Sequence, residues 1–506
     1  MLLNPKLVGW FSGERGWLRL AAVVIMVGAL LRFALAALSH PASDSCWHLS
    51  VARFIAENGR IPLFEQFGIS DRSVFSAPPL FHLVAAFVYR LFGLVNASEF
   101  AVKLVSALFG SLTLPVVFLA ARKAYGSRIA FFATFFVAFL PLHINSSVVS
   151  FVDSLAVLLA VLVVYFLLLR RILLSAVFLG LALTAKQTMM FFVPFFILAM
   201  VVLYRARPKA VLAKLVASGA VAGLIGLPWL VRNYLLLGNP LWPFLYKILG
   251  GKIVPESLQG FSLAGLFSFI IPARFFLELL GAPLGSLAAL SFVSIPFANV
   301  AVAAWLALTV LFILPAVAGL FARIQYRIYL FAWLALFLLV TAIYVMNVGV
   351  VSARFFLPAV PALAVVWAFG IDSMLRKASG IGVAGQRLVP VAIIILVGCA
   401  AAFSAVESGK VLVAARSWSA YDADFSWVRE NTPSDALIAY RGQCMSYNVH
   451  RHSNFDLAMA DYAWVNHDFK LEPVSILEPA YLQEIEDGFV LVYENAATGT
   501  KVYGRK

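Results

Sequence analysis

Long apolar runs separated by short polar segments make up most of the chain before residue 407. A helix needs roughly 20 apolar residues to cross the hydrocarbon core of a bilayer, and most of the runs are close to that length. The pattern therefore predicts a polytopic, mainly α-helical membrane protein with about eleven spans. We place the spans at residues 20–38, 101–120, 129–147, 154–169, 172–185, 187–204, 211–230, 299–320, 328–345, 355–372 and 388–406.

Positive charges between the apolar runs indicate the orientation. Lys and Arg cluster in alternate polar segments, and the positive-inside rule assigns such segments to the cytoplasm. With an odd number of spans, the N-terminus is then cytoplasmic and the C-terminus external. The clusters lie near residues 6–19, 122–128, 170–171, 205–214, 323–327 and 376–387.

The segment Pro78–Val95 is an apolar run that has two interpretations. It begins with two prolines and contains His82 and Arg90, which favours an amphipathic helix lying at the outer interface. If it crossed the bilayer instead, the basic segment at 121–128 would lie outside, against the charge rule. We predict a second interfacial helix around Leu49–Asn58 in the same loop.

From Glu407 onward the chain changes character. Charge becomes dense, and the alternating apolar residues of GFVLVYEN near the end predict a strand. We therefore divide the chain into a membrane domain, 1–406, and a small external α/β domain, 407–506. The membrane domain has long external loops at about 39–100 and 232–298.

The composition agrees with a membrane protein, because 63% of the 506 residues are hydrophobic and only 12% are charged. The net charge of +14 belongs to the small clusters between spans, which argues against nucleic-acid binding. Three cysteines, Cys46, Cys399 and Cys444, form neither a disulfide framework nor a zinc motif. A bridge between Cys46 and Cys444 requires both to face an oxidising compartment, and we expect two free thiols instead.

Two aspartates lie at predicted external ends of spans. Asp44 follows the first span, with His48 one helical turn later, and Asp153 begins the fourth span. Each carboxylate suits a general base or a metal ligand, and each suits a helix N-cap equally well. Their predicted position at one face of the bilayer favours a shared site. Asp44, His48 and Asp153 are the candidate ligands if a divalent cation, Mg²⁺ or Mn²⁺, is bound.

Lys186 lies at the midpoint of an apolar stretch that begins and ends in cytoplasmic arginines, so we predict a short helical hairpin with Lys186 and Gln187 at its tip. A lysine at membrane depth is energetically costly and indicates a functional site, although it can also extend to the interface. Its natural partner is an anion such as a phosphate. Arg232 and Arg354 also lie at external ends of spans. One such arginine usually anchors a lipid headgroup, whereas three converging cations favour a shared anionic partner.

Familiar nucleotide-binding and hydrolytic motifs are missing from the sequence. It contains no Walker loop, HExxH element or nucleophile elbow in a usable context. ATP hydrolysis and cytoplasmic nucleotide-sugar chemistry therefore lack support.

In order and spacing, six segments resemble the GT-C membrane glycosyltransferases, above all the dolichyl-phosphate-mannose protein mannosyltransferases and the bacterial aminoarabinose transferases. They are Asp44 followed by WHLSVARFIAENGRIP; APPLFHLVAAFVYRLFG; SALFGSLTLPVVFLAARKAYGSRIAFFATFFVAFLPLHINSSVVSFVD; GLALTAKQTMMFFVP; PWLVRNYLLLGNPLWPFL; and ARFFLPAVPALAVVWAFG.

The resemblance implies a GT-C bundle that transfers a hexose or pentose from a polyprenyl (dolichyl or undecaprenyl) phosphate donor. The acceptor would be a protein, lipid or glycan at the extracytoplasmic face of a prokaryotic plasma membrane, and the anomeric carbon would be inverted. Asp44 would be the general base or would position the acceptor, and Asp153 would be the second acid. Lys186, with Arg232 and Arg354, would neutralise the donor phosphate.

Two positions depart from the family pattern. No Glu stands beside Asp44 in SDSCWH, and Ala77 occupies the position of a lysine that precedes Pro-Pro in aminoarabinose transferases, for which Arg72 is a candidate substitute. His48, His82 and Gln187 are further site candidates. The start DSCWHL also resembles oligosaccharyltransferase catalytic subunits, but their WWD motif is missing from the C-terminal domain.

Two other functions stay open at this point. One is a lipid or glycolipid transporter, which would need charges near the bilayer midplane or two related halves, and neither is evident. The other is a catalytically inactive scaffold subunit of a glycan assembly complex.

Overall fold

The computed structural model describes residues 13–42, 44–67, 74–94, 96–204, 208–242, 246–253, 313–348, 353–379, 398, 405, 408–409, 411–440, 442, 444–454, 456–466 and 479–506. The chain divides into two compact units. Unit 1 comprises Met1–Arg32, Leu108–Ser147 and Asp153–Glu407, and unit 2 comprises Phe33–Ala107, Val148–Val152 and Ser408–Lys506. Unit 2 thus combines most of the first predicted external loop with the C-terminal segment, and the division into domains 1–406 and 407–506 stays a prediction.

Helices dominate the described residues, as the apolar pattern predicts. In chain order they are α1 (Gly13–Leu38), α2 (Asp44–Asn58), α3 (Leu80–Leu91), α4 (Asn96–Tyr125), α5 (Ser127–Phe139), α6 (Pro141–Val148), α7 (Asp153–Leu168), α8 (Ile172–Ala185), α9 (Phe192–Leu203), α10 (Pro208–Leu237), α11 (Tyr246–Leu249), α12 (Arg327–Val348), α13 (Val360–Ser379), α14 (Asp422–Asn431), α15 (Met445–Val449) and α16 (Pro479–Gly488). Short 3₁₀ turns occupy Gln187–Phe191, Ala353–Ala359 and Leu457–Met459.

Several helices are long and apolar enough to cross a membrane, so the chain is an integral membrane protein. Within the described ranges four qualify alone, Gly13–Leu38, Ser98–Tyr125, Val211–Leu237 and Arg354–Lys377, and α5 with α6 forms a fifth that is bent by 57°. The α8 helix has 14 residues, or about 21 Å, and is too short to cross about 30 Å of hydrocarbon alone. Much of the predicted spans 299–320 and 388–406 lies outside the described residues, and the total of eleven stays a prediction.

The bend between α5 and α6 has a clear physical cause. Pro141 has no N–H, so the carbonyl of Val137 loses its helical donor there. Arg32 on α1, which is fully buried, replaces that donor: its Nη2 lies 3.1 Å from Val137 O and its Nη1 lies 2.9 Å from Ala138 O. Its Nη2 also contacts His143 Nδ1 at 2.7 Å. One arginine thus joins α1 to the bent pair, which the sequence interpretation treats as one span at 129–147.

The C-terminal segment contains a small mixed sheet, which agrees with the α/β prediction. Its strands are β1 (Leu437–Ala439), β2 (His452–Asn454), β3 (Tyr462–Val465), β4 (Phe489–Asn495) and β5 (Thr500–Arg505), in the order β2-β1-β3-β5-β4. β1 pairs in parallel with β2 and β3, whereas β5 pairs antiparallel with β3 and β4. The predicted strand GFVLVYEN forms β4. Asp424 on α14 is buried and accepts hydrogen bonds from Tyr493, Asn495, Thr498 and Thr500, which anchors the helix to the β4–β5 hairpin.

Within unit 2, a covalent bond connects the first loop to the C-terminal segment. Cys46 on α2 and Cys444 before α15 are both buried and form a disulfide, with their Cα atoms 4.9 Å apart. The expectation of two free thiols is therefore wrong. Beside the disulfide, Ser453 N donates to Gln66 O at 3.2 Å, so β2 also receives a backbone contact from the first loop.

The helices of the first loop agree in position with the sequence pattern. The predicted helix at Leu49–Asn58 is present and begins earlier, at Asp44. It ends at Asn58, before Gly59, which has a φ of 68°. The segment Pro78–Val95 contains the 12-residue α3. The placement of both helices at a membrane interface stays a prediction.

Candidate functional site

Asp153 and Lys186 meet in unit 1 because α7 and α8 form a helical hairpin. Asp153 begins α7, and Lys186 directly follows the end of α8, so the hairpin brings the two positions to the same end. Lys186 has an extended backbone, with φ −152° and ψ 134°, and the 3₁₀ turn Gln187–Phe191 follows it. The sequence predicts a different hairpin, with Lys186 at its tip between residues 172–185 and 187–204. The structure shows that the helix breaks at Lys186, and that hairpin stays a prediction.

The two side chains form a largely buried ion pair, to which Arg354 adds a second cation. Lys186 Nζ pairs with Asp153 Oδ1, and Arg354 Nε lies 3.9 Å from Asp153 Oδ2. The Asp153 side chain is 2% exposed, compared with 11% for Lys186 and 23% for Arg354. The sequence interpretation assigns Lys186 an external anion as partner, and the structure shows that a carboxylate of the protein is one partner.

Phe355 completes this cluster and was not a candidate from the sequence. Lys186 Nζ lies 5.1 Å and Arg354 Cζ lies 5.5 Å from the centroid of its ring. An aromatic face within about 6 Å of a cation stabilises the cation without neutralising its charge. The cluster of Asp153, Lys186, Arg354 and Phe355 therefore places two cations around one carboxylate, a combination of groups that can bind an anion.

Gln187 and Arg232 also lie in unit 1, with different neighbours. Gln187 Nε2 donates to Trp242 O at 3.0 Å, which joins the turn after Lys186 to the segment after α10. Arg232 lies near the end of α10, with its Cζ 4.6 Å from the ring centroid of Trp229, one turn earlier. Its predicted role toward the phosphate stays a prediction. Arg72 lies outside the described residues.

In unit 2, Asp44 and His48 begin the buried helix α2. Asp44 lies in the first turn, where a carboxylate interacts favourably with the helix dipole, and its side chain is partly exposed. His48 is buried, and its Nδ1 lies 2.9 Å from Nε2 of His82 on α3. The structure thus brings two candidate histidines together. Asp44 and Asp153 belong to different units, and their shared site stays a prediction.

Glu65 is a buried acid in the same unit that sequence reasoning missed. Trp47 Nε1 donates to its Oε1 at 3.0 Å, and the backbone N–H of Phe67 donates to the same oxygen at 2.9 Å. Burial raises the pKa of Glu65 to about 7, although both hydrogen bonds favour the charged form. The only sequence signal was an acid next to aromatic residues in the loop.

The prediction of a divalent cation receives no test from the side-chain geometry. Among the described residues, His, Cys, Asp and Glu side chains form no group of three that could hold a metal ion. Since Asp44 and Asp153 lie in different units, the candidate set Asp44, His48 and Asp153 stays a sequence-level prediction.

Residues 76–231 match the family described as dolichyl-phosphate-mannose-protein mannosyltransferase. The matched segment, less than a third of the chain, includes Asp153 and Lys186 and ends immediately before Arg232. Asp44 and Arg354 lie outside it. No curated protein matches the chain by sequence at a significant level.

Solved structures extend the similarity to nearly the whole chain. The structure of ArnT from Cupriavidus metallidurans bound to undecaprenyl phosphate superposes with a TM-score of 0.64 at 14% identity, covering 97% of this chain and 98% of ArnT. The protein has the GT-C fold. The archaeal oligosaccharyltransferase AglB from Archaeoglobus fulgidus, in complex with an inhibitory peptide and a dolichol-phosphate, gives a TM-score of 0.56 at 14% identity, covering 96% of this chain and 74% of AglB. The GT-C fold expected from the six sequence segments is thus confirmed.

Proposed function

We propose that the protein is a membrane glycosyltransferase that takes a sugar from a polyprenyl phosphate donor at the extracytoplasmic face. The observation that carries this proposal is the cluster of Lys186 and Arg354 around the buried carboxylate of Asp153, in a GT-C fold. ArnT and AglB, which share that fold, are described with undecaprenyl phosphate and dolichol-phosphate. The match of residues 76–231 to a dolichyl-phosphate-mannose-dependent family supports the same donor class.

The charge of the cluster suits a phosphate-linked sugar. A polyprenyl phosphate sugar is a phosphodiester with one negative charge, and Lys186 and Arg354 are two cations that can bind it. When the bond from the anomeric carbon to the phosphate oxygen breaks, the leaving polyprenyl phosphate gains negative charge. Lys186 and Arg354 would stabilise that growing charge, which lowers the barrier rather than only binding the donor.

Asp44 supplies the second chemical group in this proposal. In an inverting transfer, an acceptor hydroxyl attacks the anomeric carbon from the face opposite the phosphate, and its proton passes to a base. The new bond joins the acceptor oxygen to the sugar, the donor phosphate leaves with the electron pair, and the Asp44 carboxylate takes the proton. We assign Asp44 this role because it is a partly exposed carboxylate at the start of a buried helix.

The disulfide of unit 2 supports an extracytoplasmic site. Disulfides persist in oxidising compartments and are rare in the cytosol. Cys46 is two residues from Asp44 on α2, so Asp44 is expected to share the compartment of the disulfide. The positive-inside rule gives the same orientation, with the C-terminal sheet external. We assign the protein to a prokaryotic plasma membrane.

The direct test is turnover by the purified full-length chain in liposomes. The donors are undecaprenyl phosphates that carry mannose, glucose or aminoarabinose, the acceptors are total membrane lipids, glycans and proteins, and the product measured is released undecaprenyl phosphate. We expect release by the parent, a loss of about 10²–10⁴-fold for Asp44→Asn, and little change for Glu57→Gln, an exposed acid on the same helix.

Two results would overturn the assignment. One is turnover by Asp44→Asn at the parental rate. The other is movement of labelled donor across the bilayer without any new glycosidic bond, which would indicate a transporter.

A further inference from the structure

Unit 1 contains a cavity along the second half of α7, the half away from Asp153. The cavity has a volume of about 120 Å³, and Leu167 and Leu168 at the last turn of α7 contribute to its lining. Along α7, which begins at Asp153, the cavity lining runs from Val161 to Leu168, roughly 12 to 22 Å from Asp153. The cavity is thus distinct from the site proposed for the donor.

The interior of the cavity is apolar. Its walls include Val161, Val164, Phe195, Ala199 and Trp333. The volume is close to that of an engineered apolar cavity of about 150 Å³ that stays dry and binds benzene. A cavity of this kind in a membrane protein suits a segment of hydrocarbon chain.

The rim of the cavity carries positive charge. Arg170 lines the cavity from the turn between α7 and α8, where its backbone has a φ of 61°. Its Nη1 donates to Leu203 O at 3.2 Å, and its Cζ lies 5.2 Å from the ring centroid of Tyr204. Lys214 Nζ lies 5.2 Å from the same ring centroid. Two cations therefore share one aromatic ring, and one of them, Arg170, lines the cavity.

The segment that supplies Arg170 and Lys214 contains no acidic residue of its own. The sequence contains no Asp or Glu between Asp153 and Glu256, although that segment holds ten Lys and Arg residues. Asp372 on α13 already forms ion pairs at 2.8 Å with Arg128 and with Arg376. An anion from another molecule is the complementary partner for Arg170 and Lys214.

We propose that this cavity binds one acyl chain of an anionic phospholipid, whose phosphate group lies against Arg170 and Lys214. The apolar interior accounts for the chain, and the two cations account for the negative headgroup. On the orientation predicted from the charge rule, the lipid comes from the cytoplasmic leaflet, which is the side that carries these basic segments. The inference does not depend on the proposed transferase activity.

Photolabelling of the full-length protein in nanodiscs tests the site directly. Phosphatidylglycerol and phosphatidylcholine with a diazirine on the acyl chain are compared at equal mole fractions, and the adducts are located by mass spectrometry. We expect adducts on α7, α9 and the start of α12. Phosphatidylglycerol should label at least about fivefold more, which corresponds to about 1 kcal/mol for one cation near an anionic lipid.

Three variants extend the test. Arg170→Ala with Lys214→Ala should abolish the preference for phosphatidylglycerol, whereas Lys123→Ala, an exposed lysine near the same end, should retain it. Ala199→Phe should reduce labelling by both lipids because the added ring fills the cavity.

The labelling of the parent alone can overturn the proposal. Equal labelling of the cavity by both phospholipids would show that the headgroup does not contribute to binding. Adducts confined to other surfaces would show that the cavity does not bind an acyl chain. Displacement of the probe by undecaprenyl phosphate at lower concentration than by unlabelled phosphatidylglycerol would assign the cavity to the polyprenyl lipid instead.

Discussion

Replacing Lys186 by Met is expected to destabilise unit 1, because it leaves the carboxylate of Asp153 without its main partner. The Asp153 side chain is only 2% exposed, so water cannot replace the lost ammonium group. Removing one member of a buried pair typically costs about 3–5 kcal/mol. Since Arg354 remains 3.9 Å away, we expect a loss near the lower end, about 3 kcal/mol.

A second substitution separates the charge effect from lost packing. Asp153→Asn combined with Lys186→Met removes both charges of the buried pair, and Arg354, which loses Asp153 as a partner, is 23% exposed and accessible to water. The double variant should therefore recover most of the lost stability. The matched control is Lys123→Met, an exposed lysine whose replacement should change stability by no more than about 0.5 kcal/mol.

The assay is reversible unfolding of the purified proteins in detergent micelles, followed by tryptophan fluorescence as denaturant is added. The midpoint should fall for Lys186→Met and return toward the parental value for the double variant. A single variant as stable as the parent would refute the buried ion pair. A double variant less stable than the single one would show that packing around Lys186, rather than charge, determines the loss of stability.

Three further predictions concern unit 2. Cys46→Ser should lower the free energy of unfolding by about 2–5 kcal/mol. Dithiothreitol should destabilise the parent but not this variant. Equal sensitivity of the two proteins to the reductant would contradict a Cys46–Cys444 bond. Asp424→Ala removes the acceptor of four side-chain hydrogen bonds and should lower the free energy of unfolding by about 3 kcal/mol. Backbone amides of β4 and β5 should then exchange hydrogen faster. Unchanged exchange would contradict the anchoring role of Asp424. Burial raises the pKa of Glu65 from 4.5 to about 7, so the folded state holds this proton more tightly than the unfolded state. Stability should therefore fall as the pH rises from about 4.5 through about 7. In unfolding measured at several pH values, Glu65→Gln should weaken this dependence of stability on pH. An unchanged dependence would show that Glu65 is not responsible.

The sequence predicted the residues of the Asp153 cluster better than their contacts. Lys186 was recognisable because a lysine within an apolar hairpin is costly and needs a reason. Its pairing with Asp153, 33 residues earlier, depends on how α7 and α8 pack, and hydrophobic periodicity does not specify that register. Phe355 could not be singled out from the sequence, because an aromatic residue next to an external arginine is common in membrane proteins.

Two long-range features of the fold were also beyond the sequence pattern. The Cys46–Cys444 bond joins positions 398 residues apart, and spacing carries no information over such a distance. The bend at Pro141 had a local signal, a proline within a predicted span. Its compensation by Arg32 required knowledge that α1 packs against α5, which hydropathy alone cannot supply.

The central claim is that Lys186 and Arg354 bind the phosphate of a polyprenyl phosphate. Equilibrium binding of undecaprenyl phosphate to the purified protein tests it, with Asp153→Asn and the double variant Asp153→Asn/Lys186→Met compared side by side. Asp153→Asn removes the competing carboxylate and should bind as tightly as the parent or more tightly. The double variant also loses a charge-assisted contact, worth about 1.5–3 kcal/mol, and should bind at least about tenfold more weakly than Asp153→Asn. Equal affinity of the two variants would contradict the assignment of this cluster as the donor phosphate site.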